Sequence, residues 1–477
     1  MAGLPLPGPA LTQSRDLPAG GPPVPDQVRN VLSTLWAAGH EAWVVGGALR
    51  DWLAGRRIGS ERWDLATDAQ PPRLLGIFPG SGYTNRFGTV LIAGVEVTTF
   101  RRDHRYGDHR RPDQVTFTDS LAEDLVRRDF TVNAIAWGRG AGEQEERWVD
   151  PTGGIADVRA RVLRAVGDPA VRFDEDALRL LRGARIAAQA GLTVDPATAA
   201  AMTAHAHDVR YVSVERIGQE LRRMVQASPP SAAFRILADT GLLEHLVPGL
   251  AAQRGLIQDK IPGHDLWDHS LATLDALEDP SPADERVRLA ALLHDIGKPE
   301  TFVDGHFPGH DQAGARIATD LLARLAFPGR DVSYVARLIR WHMFSYESAW
   351  SDAALRRFMV RVGTDLVDDL LLLRRADNVG SGLAPDAGRL AELRGRIAAD
   401  RLARHPLAMA DLAVDGQDIM RALGREPGPW LGQLLARLLD SVVADPARNT
   451  PEVLLASARA WASPAHERAA SATVRSE

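Results

Sequence analysis

Residues 43–69, WVVGGALRDWLAGRRIGSERWDLATDA, contain the features on which the interpretation of the whole chain depends. The apolar run at 43–45 is typical of a buried strand. Gly46 and Gly47 follow it. A glycine pair lets the backbone approach a ligand closely, and the amide groups at the start of the next helix are free to bind an anion. This order predicts a strand, a phosphate-binding turn and a helix.

A carboxylate on the next apolar segment adds to this prediction. Asp64 and Asp68 flank the short run Leu-Ala-Thr. A carboxylate beside bound phosphate groups is suited to holding Mg²⁺. The glycine pair alone is weak evidence, because ordinary turns use the same pair. Its neighbours in the sequence decide between these two interpretations.

The motifs that accompany the glycine pair come in a fixed order: Arg50-Asp51, WDLATDA at 63–69, EVTTFR at 96–101 and RRDFTVNA at 127–134. In this order they resemble the class II nucleotidyltransferases, the family of CCA-adding tRNA nucleotidyltransferases and bacterial poly(A) polymerases. The resemblance extends from about residue 27 to the end of the chain. It implies an α+β fold, in which a nucleotidyltransferase head with a mixed sheet and helices precedes an all-α neck, body, HD domain and tail.

One position departs from the family pattern. The family carries Asp-x-Asp before the Leu-Ala-Thr run, whereas this chain has Arg62-Trp63-Asp64. The positive charge of Arg62 would oppose metal binding by Coulomb repulsion. Two explanations stay open: Glu61 substitutes for the missing acid, or Arg62 itself contacts the triphosphate.

Composition excludes several classes of protein. The chain has no cysteine, so disulfide partners and thiolate metal sites are excluded and any metal must be held by His and carboxylates. No apolar run approaches the roughly 18 residues that cross a bilayer, and the first residues lack a signal pattern, which predicts a cytoplasmic protein without membrane contact. The net charge of −6 does not itself indicate nucleic-acid binding. Lysine occurs only at 260 and 298, and genome composition is the simplest explanation.

A length of 477 residues predicts two to four domains. Composition and the resemblance together predict the following organisation: a disordered tail at 1–26, the head at 27–150, a helical neck at 151–255 that selects the base and binds RNA, an HD phosphohydrolase domain at 256–400, a helical tail at 401–465 and a frayed end at 466–477.

Further head residues follow from the resemblance. Glu96 is expected on a strand in the same sheet as Asp64, where it matches the family's third acidic position and would hold Mg²⁺ with it; the alternative is a solvated strand face. Arg50 and Asp51 would support the phosphate turn. The nucleotide would be held by four residues of the later motif: Arg127, Arg128, Asp129 and Asn133. The polar segment 101–119 is expected to be a mobile loop.

The neck carries a candidate base-reading set. Asp176, Arg179 and Arg182 are spaced three apart, which predicts one face of a helix. A carboxylate accepts a hydrogen bond from the exocyclic amine of cytosine or adenine while an arginine donates to the adjacent ring acceptor. In the family, EDxxR performs this selection, and here Glu175, Asp176 and Arg179 match it. The alternative is an ordinary ion pair along the helix.

The last third of the chain carries a second set of metal ligands. His269, then His294-Asp295 in ALLHDIGK, then Asp377 in RRADN follow the order of the HD phosphohydrolase superfamily. His310 and His342 match the superfamily's additional ligands for a second metal. The resemblance implies a divalent ion (Mn²⁺, Ni²⁺, Mg²⁺ or Fe²⁺) and hydrolysis of a phosphate ester.

The function implied by the resemblance is template-independent addition of C and/or A residues to the 3′ end of tRNA from CTP and ATP, with release of pyrophosphate. The motifs do not distinguish CC, A or CCA addition. Two alternatives remain at this stage. Either the head binds tRNA without catalysis, because of Arg62, and the HD domain is the working enzyme, or the chain is a poly(A) polymerase.

Overall fold

The computed structural model describes residues 18, 20–56, 63–85, 88–104, 114–258, 260–278 and 283–462. The chain divides into two compact units: Met1–Ala252 with Leu321–Phe327, and Gln253–Asp320 with Pro328–Glu477. No helix in the described ranges is both long enough and apolar enough to cross a lipid bilayer.

The first part of the amino-terminal unit alternates short helices and strands: α1 (Asp26–Ala37), β1 (Ala42–Val45), α2 (Gly47–Leu53), β2 (Asp64–Thr67), α3 (Pro71–Ile77), β3 (Gly82–Asn85), β4 (Thr89–Ile92), β5 (Val95–Thr99), β6 (Arg101–His104), β7 (Gln114–Phe117), α4 (Leu121–Val126), a 3₁₀ turn at Thr131–Asn133, β8 (Ala136–Arg139), β9 (Arg147–Val149), α5 (Gly154–Ala160) and β10 (Val162–Leu163). Seven of these strands form one sheet in the order β3-β4-β5-β2-β1-β8-β9. Strands β2 and β5 pair in parallel, whereas the other neighbours in this sheet are antiparallel. The mixed sheet expected for the head is therefore confirmed.

Strand β1 lies within the sheet and is buried along its whole length. A buried strand cannot satisfy its backbone groups with water, so β1 needs a hydrogen-bonded neighbour on both edges, and β2 and β8 supply them. Gly138 of β8 lies against β1, where a Cβ atom would be 2.3 Å from the carbonyl oxygen of Ala42. Only glycine fits at this position.

Two predictions about irregular segments need correction. Part of the expected mobile loop at 101–119 is an antiparallel ribbon, because β6 and β7 pair from Arg101 opposite Phe117 onward; residues 105–113 lie outside the described residues. Within the expected disordered tail, the carbonyl oxygen of Gly20 accepts a hydrogen bond from Trp148 Nε1 at 2.9 Å, and α1 begins at Asp26. Residues 1–17 and 19 lie outside the described residues.

The rest of this unit is mainly helical: α6 (Pro169–Glu175), α7 (Leu178–Ala190), β11 (Thr193–Val194), α8 (Pro196–Ala204), a 3₁₀ turn at Ala206–Tyr211, α9 (Val214–Met224), α10 (Ser231–Asp239), α11 (Leu242–Leu246) and α12 (Pro248–Ala251). The short strands β10 and β11 pair in parallel. Helix α7 packs against α9 and α10, and these contacts place α7 and α9 side by side.

The remaining elements are helices: α13 (Leu266–Asp275), a 3₁₀ turn at Ala276–Glu278, α14 (Glu285–Leu293), α15 (His310–Arg324), α16 (Gly329–Trp341), α17 (Asp352–Val362), α18 (Val367–Gly380), α19 (Leu390–Leu402), a 3₁₀ turn at Met409–Asp411, α20 (Gly416–Leu423), α21 (Pro429–Ala444), a 3₁₀ turn at Pro446–Arg448 and α22 (Pro451–Trp461). Helices α13, α14 and α18 pack together, and α14 also packs against α16. The last three helices share a separate apolar core that includes Ile419, Leu438 and Leu454.

Candidate active site and metal centre

Two carboxylates lie side by side in the head sheet, where the neighbouring strands β2 and β5 begin to pair. Asp64 begins β2, and its partner in the parallel register with β5 is Glu96. Both side chains open into the same cavity. The protein around the cavity displaces water from Asp64 and so raises the pKa of its carboxyl group, Glu96 raises it further, and Arg128 and Arg182 act in the opposite direction. Two adjacent carboxylates with this electrostatic cost favour a bound cation.

The glycine pair lies directly beside these carboxylates. Gly46 has φ 81° and ψ −140°, a backbone conformation that L side chains rarely adopt. A Cβ atom at Gly46 would lie 3.5 Å from Arg128 Nη1 and 3.8 Å from Asp64 Oδ2, so it would occupy the space between the arginine and the carboxylate. Gly46 therefore keeps this space open at the end of β1.

Arg50 and Asp51 are buried behind the turn. The Arg50 guanidinium donates through Nε to Asp51 Oδ1 and through Nη1 to Asn133 Oδ1, both at 2.9 Å. The Asn133 amide in turn donates to Asp129 Oδ1 at 3.2 Å. This network holds Asn133 in place, and Asn133 lines the cavity whereas Arg50 and Asp51 do not.

A buried carboxylate that the sequence reasoning missed holds the two arginines of the RRDFTVNA motif. Asp124 is 1% exposed and accepts from Arg127 Nη2 at 2.6 Å and from Arg128 Nη2 at 3.0 Å. Burial raises the pKa of Asp124, but the two arginines outweigh that effect and the pKa is lowered. The spacings of three and four residues, from Asp124 on α4 to the two arginines just after it, are the signal that would have identified this pair of contacts.

Arg182 connects the head to α7. Its Nε donates to Asp129 Oδ2 at 2.7 Å. Burial opposes ionisation of Asp129, but the charge and hydrogen bond of Arg182 prevail, together with Asn133, and the pKa of Asp129 lies below its ordinary value. This ion pair fixes the side of α7 that faces the carboxylates.

The predicted helical face at 176–182 needs correction. Asp176 lies between α6 and α7 in extended conformation, with φ −147° and ψ 103°, and it accepts from Arg216 Nη1 and Nη2 at 3.2 and 2.8 Å. Arg179 is buried and donates to Glu175 Oε2 at 2.5 Å. The ordinary ion pair between Asp176 and Arg179, which was the alternative interpretation, is therefore wrong. Arg216 of α9 is the partner of Asp176.

A cavity of about 450 Å³ brings most of the candidate head residues together. Its lining consists of Val45, Gly46, Gly47, Asp64, Leu65, Thr89, Glu96, Thr98, Arg101, Arg127, Arg128, Asp129, Asn133, Asp176, Leu178, Arg179, Arg182 and Arg216. The two carboxylates at the end of the sheet thus share one cavity with a group of arginines, an arrangement suited to a metal-bound polyphosphate.

A second cavity, of about 610 Å³, also borders the two carboxylates. It shares Gly47, Asp64, Glu96, Asn133 and Arg182 with the first cavity. Its own lining includes Arg50, Asp51 and Trp63 from the head, and Arg185, Ile186, Gln189, Arg223 and Gln226 from the helical region. The carboxylate pair therefore borders two spaces, each with its own arginines.

The second compact unit, Gln253–Asp320 with Pro328–Glu477, is called the helical unit and holds the second set of candidate ligands. Within the described residues, two groups have ligand atoms within 4.8 Å of one another: His269 with His294 and Asp377, and Asp295 with His310 and His342. These six residues come from α13, the end of α14, the start of α15, the end of α16, and α18. All six are buried.

The four imidazoles are oriented in the same way. Each Nδ1 lies within hydrogen-bond distance of a backbone carbonyl oxygen: His269 with Gly380 at 3.0 Å, His294 with Ala291 at 2.8 Å, His310 with Phe307 at 2.8 Å and His342 with Ile339 at 2.6 Å. Because a carbonyl oxygen only accepts, each Nδ1 donates to it, and Nε2 is the ring nitrogen that is left to bind a metal ion at the centre. The Nε2 atoms of His310 and His342 are buried and have no hydrogen-bond partner among the described residues. Such a donor set fits a divalent metal ion.

Asp295 lies between the two groups. Its Oδ2 is 3.2 Å from His294 Nε2 and 3.3 Å from His269 Nε2, while its Oδ1 is 3.5 Å from His310 Nε2 and 3.6 Å from His342 Nε2. A carboxylate that presents one oxygen to each group is suited to bridging two cations.

Comparison with known proteins identifies three matching domain families along the chain. The Poly A polymerase head domain matches residues 42–164, the probable RNA and SrmB-binding site of polymerase A matches 191–254, and the HD domain matches 266–381. A CCA-adding enzyme of Anoxybacillus flavithermus is 31% identical over 434 residues, which cover 90% of this chain and 95% of the relative. The chain belongs to the family of CCA-adding tRNA nucleotidyltransferases and poly(A) polymerases.

Two further members of the family show how broad the similarity is. An A-adding tRNA nucleotidyltransferase of Deinococcus radiodurans is 33% identical over 437 residues, covering 88% of this chain and 95% of the relative. The crystal structure of the Bacillus stearothermophilus CCA-adding enzyme in complex with CTP matches with a TM-score of 0.70 and 27% identity, covering 92% of this chain and 98% of that one. The α+β architecture is the one expected from the family resemblance.

Nucleotidyltransferase heads and HD domains in this family are typically metal-dependent, and the helical unit provides candidate ligand groups. In the described part of the head, Asp64 and Glu96 are not joined by a third ligand of a metal-binding cluster. Glu61 and Arg62, on which the departure from the family pattern rests, lie outside the described residues.

Proposed function

We propose that the head adds C and/or A residues to the 3′ end of tRNA from CTP and ATP, releasing pyrophosphate. The observation that carries the proposal is the pair of cavities that meet at Asp64 and Glu96. In-line attack of a 3′ hydroxyl on an α-phosphate needs the attacking and leaving groups on opposite sides of the reacting phosphorus. Two spaces that share one carboxylate pair would let the nucleoside triphosphate and the 3′ end of the tRNA approach the same metal site from separate cavities. The relatives named as CCA-adding and A-adding enzymes support the same activity.

The first cavity is assigned to the nucleoside triphosphate. Arg127 and Arg128 are fixed by Asp124 at its wall, so their guanidinium groups can donate to phosphate oxygens without first losing much side-chain freedom. Asp64 and Glu96 would hold Mg²⁺, which neutralises charge on the transferred phosphate. Gly46 leaves room for the phosphates next to this pair.

Base selection is assigned to Asp176 and Arg179, which also line the first cavity. Arg216 holds the Asp176 carboxylate in place, and this carboxylate can accept from the exocyclic amine of cytosine or adenine. Arg179 also lines the cavity, and its contacts with Glu175 and with the backbone oxygens of Arg172 and Arg127 fix its orientation. A fixed pair of donor and acceptor can read the edge of a base without a nucleic-acid template.

The second cavity is assigned to the acceptor end of the tRNA, which predicts a residue-specific effect. Replacing Arg223 with Gln is expected to raise the KM for tRNA about five- to tenfold while the KM for ATP stays within about twofold, because only one phosphate contact is lost. Steady-state kinetics with tRNA or ATP varied separately measures both values. Arg222→Gln is the matched control. Arg222 is also on α9, but its guanidinium stacks on the Phe327 ring and it does not line the second cavity. An equal rise of both KM values in Arg223→Gln would contradict the assignment.

The arginine in place of the first family acid predicts an unusual Mg²⁺ requirement. Replacing Arg62 with Asp is expected to lower the Mg²⁺ concentration for half-maximal activity by about tenfold, because a positive charge two residues from Asp64 becomes a potential ligand. Mg²⁺ titrations of the initial rate measure this shift.

Arg62→Gln separates the two effects of that substitution, because it removes the charge without adding a ligand. It is expected to give a smaller shift in the same direction. Loss of activity in both variants would instead mean that Arg62 contacts the triphosphate.

A comparison of RNA substrates distinguishes the proposal from poly(A) polymerase activity. The protein is expected to add at most three nucleotides to a tRNA that lacks its CCA end and few or none to an unstructured RNA of similar length. Long adenylate tails on the unstructured RNA would favour a poly(A) polymerase. Omitting CTP or ATP in turn identifies which nucleotides are added.

We also propose that the helical unit is a metal-dependent phosphohydrolase. Its support is the set of six buried ligands, with four imidazoles oriented by backbone carbonyls. The two triads would hold divalent ions, chosen among Mn²⁺, Ni²⁺, Mg²⁺ and Fe²⁺, and these ions would stabilise charge during hydrolysis of a phosphate ester. The residues assembled around the head cavity favour a catalytic head over the alternative, a head that binds tRNA without catalysis.

Both activities would operate in the cytoplasm.

A further inference from the structure

The two lysines of the chain line the same cavity. Lysine and arginine together number 56, and only Lys260 and Lys298 are lysines. Both line a cavity of about 700 Å³ in the helical unit, together with four of the six candidate metal ligands: Asp295, His310, His342 and Asp377. Genome composition explains why lysine is rare, but it does not explain why both remaining lysines are in one cavity. A primary ammonium is a compact charge that fits beside metal ligands more easily than a planar guanidinium.

Lys298 has a fixed structural position. It is buried, and its Nζ donates to Asp295 Oδ2 at 2.6 Å and to Gln258 Oε1 at 3.1 Å. These contacts orient the carboxylate that lies between the two ligand groups. The ammonium group of Lys298 is therefore already paired with the Asp295 carboxylate.

Lys260 is placed differently. Its Nζ is 3.3 Å from His269 Nε2 and 3.7 Å from Asp377 Oδ1, and its side chain is 31% exposed. The other ring nitrogen of His269 faces the carbonyl oxygen of Gly380, so Nε2 offers a single lone pair. A metal ion at this triad needs the same lone pair. The Lys260 contact and metal coordination therefore exclude each other at His269.

The cavity offers Lys260 another use once that contact is lost. Lys260, Lys298 and Arg374 are cationic residues of its lining, and the carboxylates of the lining are Asp295 and Asp377, both in the ligand set. Lys298 and Arg374 contact these carboxylates at 2.6 and 3.3 Å, whereas Lys260 is farther from Asp377, at 3.7 Å. A phosphate group beside the metal ions would therefore find Lys260 as the cation that metal binding releases.

We propose that Lys260 is a positioning residue that binds the ligand shell when metal is absent and binds the substrate's phosphate group when metal is present. This inference rests on the proposed metal-dependent phosphohydrolase. It predicts two opposite effects of removing the ammonium. Metal binding becomes tighter, because a competitor is lost, and phosphate binding becomes weaker, because a partner is lost.

Calorimetry on the full-length Asp64→Asn protein tests both effects, since the head then does not compete for metal. Replacing Lys260 with Met is expected to tighten Mn²⁺ binding to the metal-free protein about three- to tenfold and to weaken binding of inorganic phosphate to the Mn²⁺-loaded protein about tenfold. Lys260→Gln should give the same pair of shifts and replaces the Met variant if that one does not fold. Arg330→Met is the control, because Arg330 is exposed and outside the cavity, and both constants should stay within about twofold.

The outcomes are distinguishable. Unchanged or weaker Mn²⁺ binding in the Lys260 variants, or unchanged phosphate binding, would overturn the role of Lys260 and leave the metal centre intact. Failure of the parent protein to bind Mn²⁺ at all would overturn the metal centre and this inference with it.

Discussion

Replacing Asp64 with Asn is expected to reduce nucleotide addition by about a thousandfold or more. A metal ion at a phosphoryl group contributes several kcal/mol to the stability of the transition state, and each loss of about 1.4 kcal/mol costs a factor of ten in rate. Asp64 is the carboxylate whose pKa the surrounding protein and Glu96 raise, so the neutral amide removes repulsion and the fold should tolerate it. Initial rates of labelled CTP and ATP incorporation into tRNA measure the loss.

Asp68→Asn is the matched control for this substitution. Asp68 is one residue beyond β2, where its carboxylate accepts from the amide of Glu41 at 2.8 Å, outside the cavity. This variant should keep a rate within about threefold of the parent protein unless its stability falls. A rate for Asp64→Asn within tenfold of the parent would contradict the assignment of Asp64 as a metal ligand.

The second large effect is expected at Asp295. Because its two oxygens face the two ligand groups, Asp295→Asn is expected to lower the affinity for both metal ions and to reduce hydrolysis of a generic phosphate ester by about a thousandfold. Bound Mn²⁺ per chain, measured by elemental analysis after dialysis, and hydrolysis of p-nitrophenyl phosphate report the two losses. These measurements do not depend on tRNA.

The control is Asp268→Asn, which makes the same substitution next to His269 at a residue outside the ligand set. It should retain metal and hydrolysis, and both Asp variants should retain nucleotide addition by the head. Full metal content in Asp295→Asn would contradict the bridging assignment. Hydrolysis that survives the loss of metal would contradict a metal-dependent reaction.

The sequence predicted the head correctly where the signal is local or belongs to a motif. The apolar run, the glycine pair and the helix at 43–53 are present as β1, the turn and α2. Glu96 was expected in the same sheet as Asp64, and the parallel pairing of β5 with β2 confirms this. Alternation and turn residues identify strands, but their order in the sheet depends on packing between distant segments. The position of β5 next to β2 was therefore not deducible from periodicity.

Contacts between distant segments explain only part of what the sequence reasoning missed. Spacing alone placed Asp176 on a helix with Arg179, whereas Asp176 is extended and its carboxylate pairs with Arg216, 40 residues further on. Asp124 lies close in sequence to its arginine partners, and its role was accessible from that spacing. For 101–119, composition indicated a loop, and the paired strands β6 and β7 show that polar residues also form an exposed ribbon.

The order of the ligands in the helical unit was readable from the sequence, but their orientation was not. His269 Nδ1 faces the carbonyl oxygen of Gly380, 111 residues away in the sequence, and no sequence pattern predicts that contact. The same holds for Lys260, which composition explains as a rare residue and which the fold places beside His269. Roles that depend on geometry between helices need the structure.

The central claim is that the head polymerises nucleotides despite Arg62. The most direct test incubates the purified protein with Mg²⁺, CTP and ATP and a tRNA that ends before its CCA sequence, and resolves the product length on a gel. The proposed function predicts that the tRNA is extended by one to three nucleotides and that Asp64→Asn abolishes the extension. No extension by the parent protein, under conditions in which a CCA-adding enzyme of the same family extends the same tRNA, would contradict the claim.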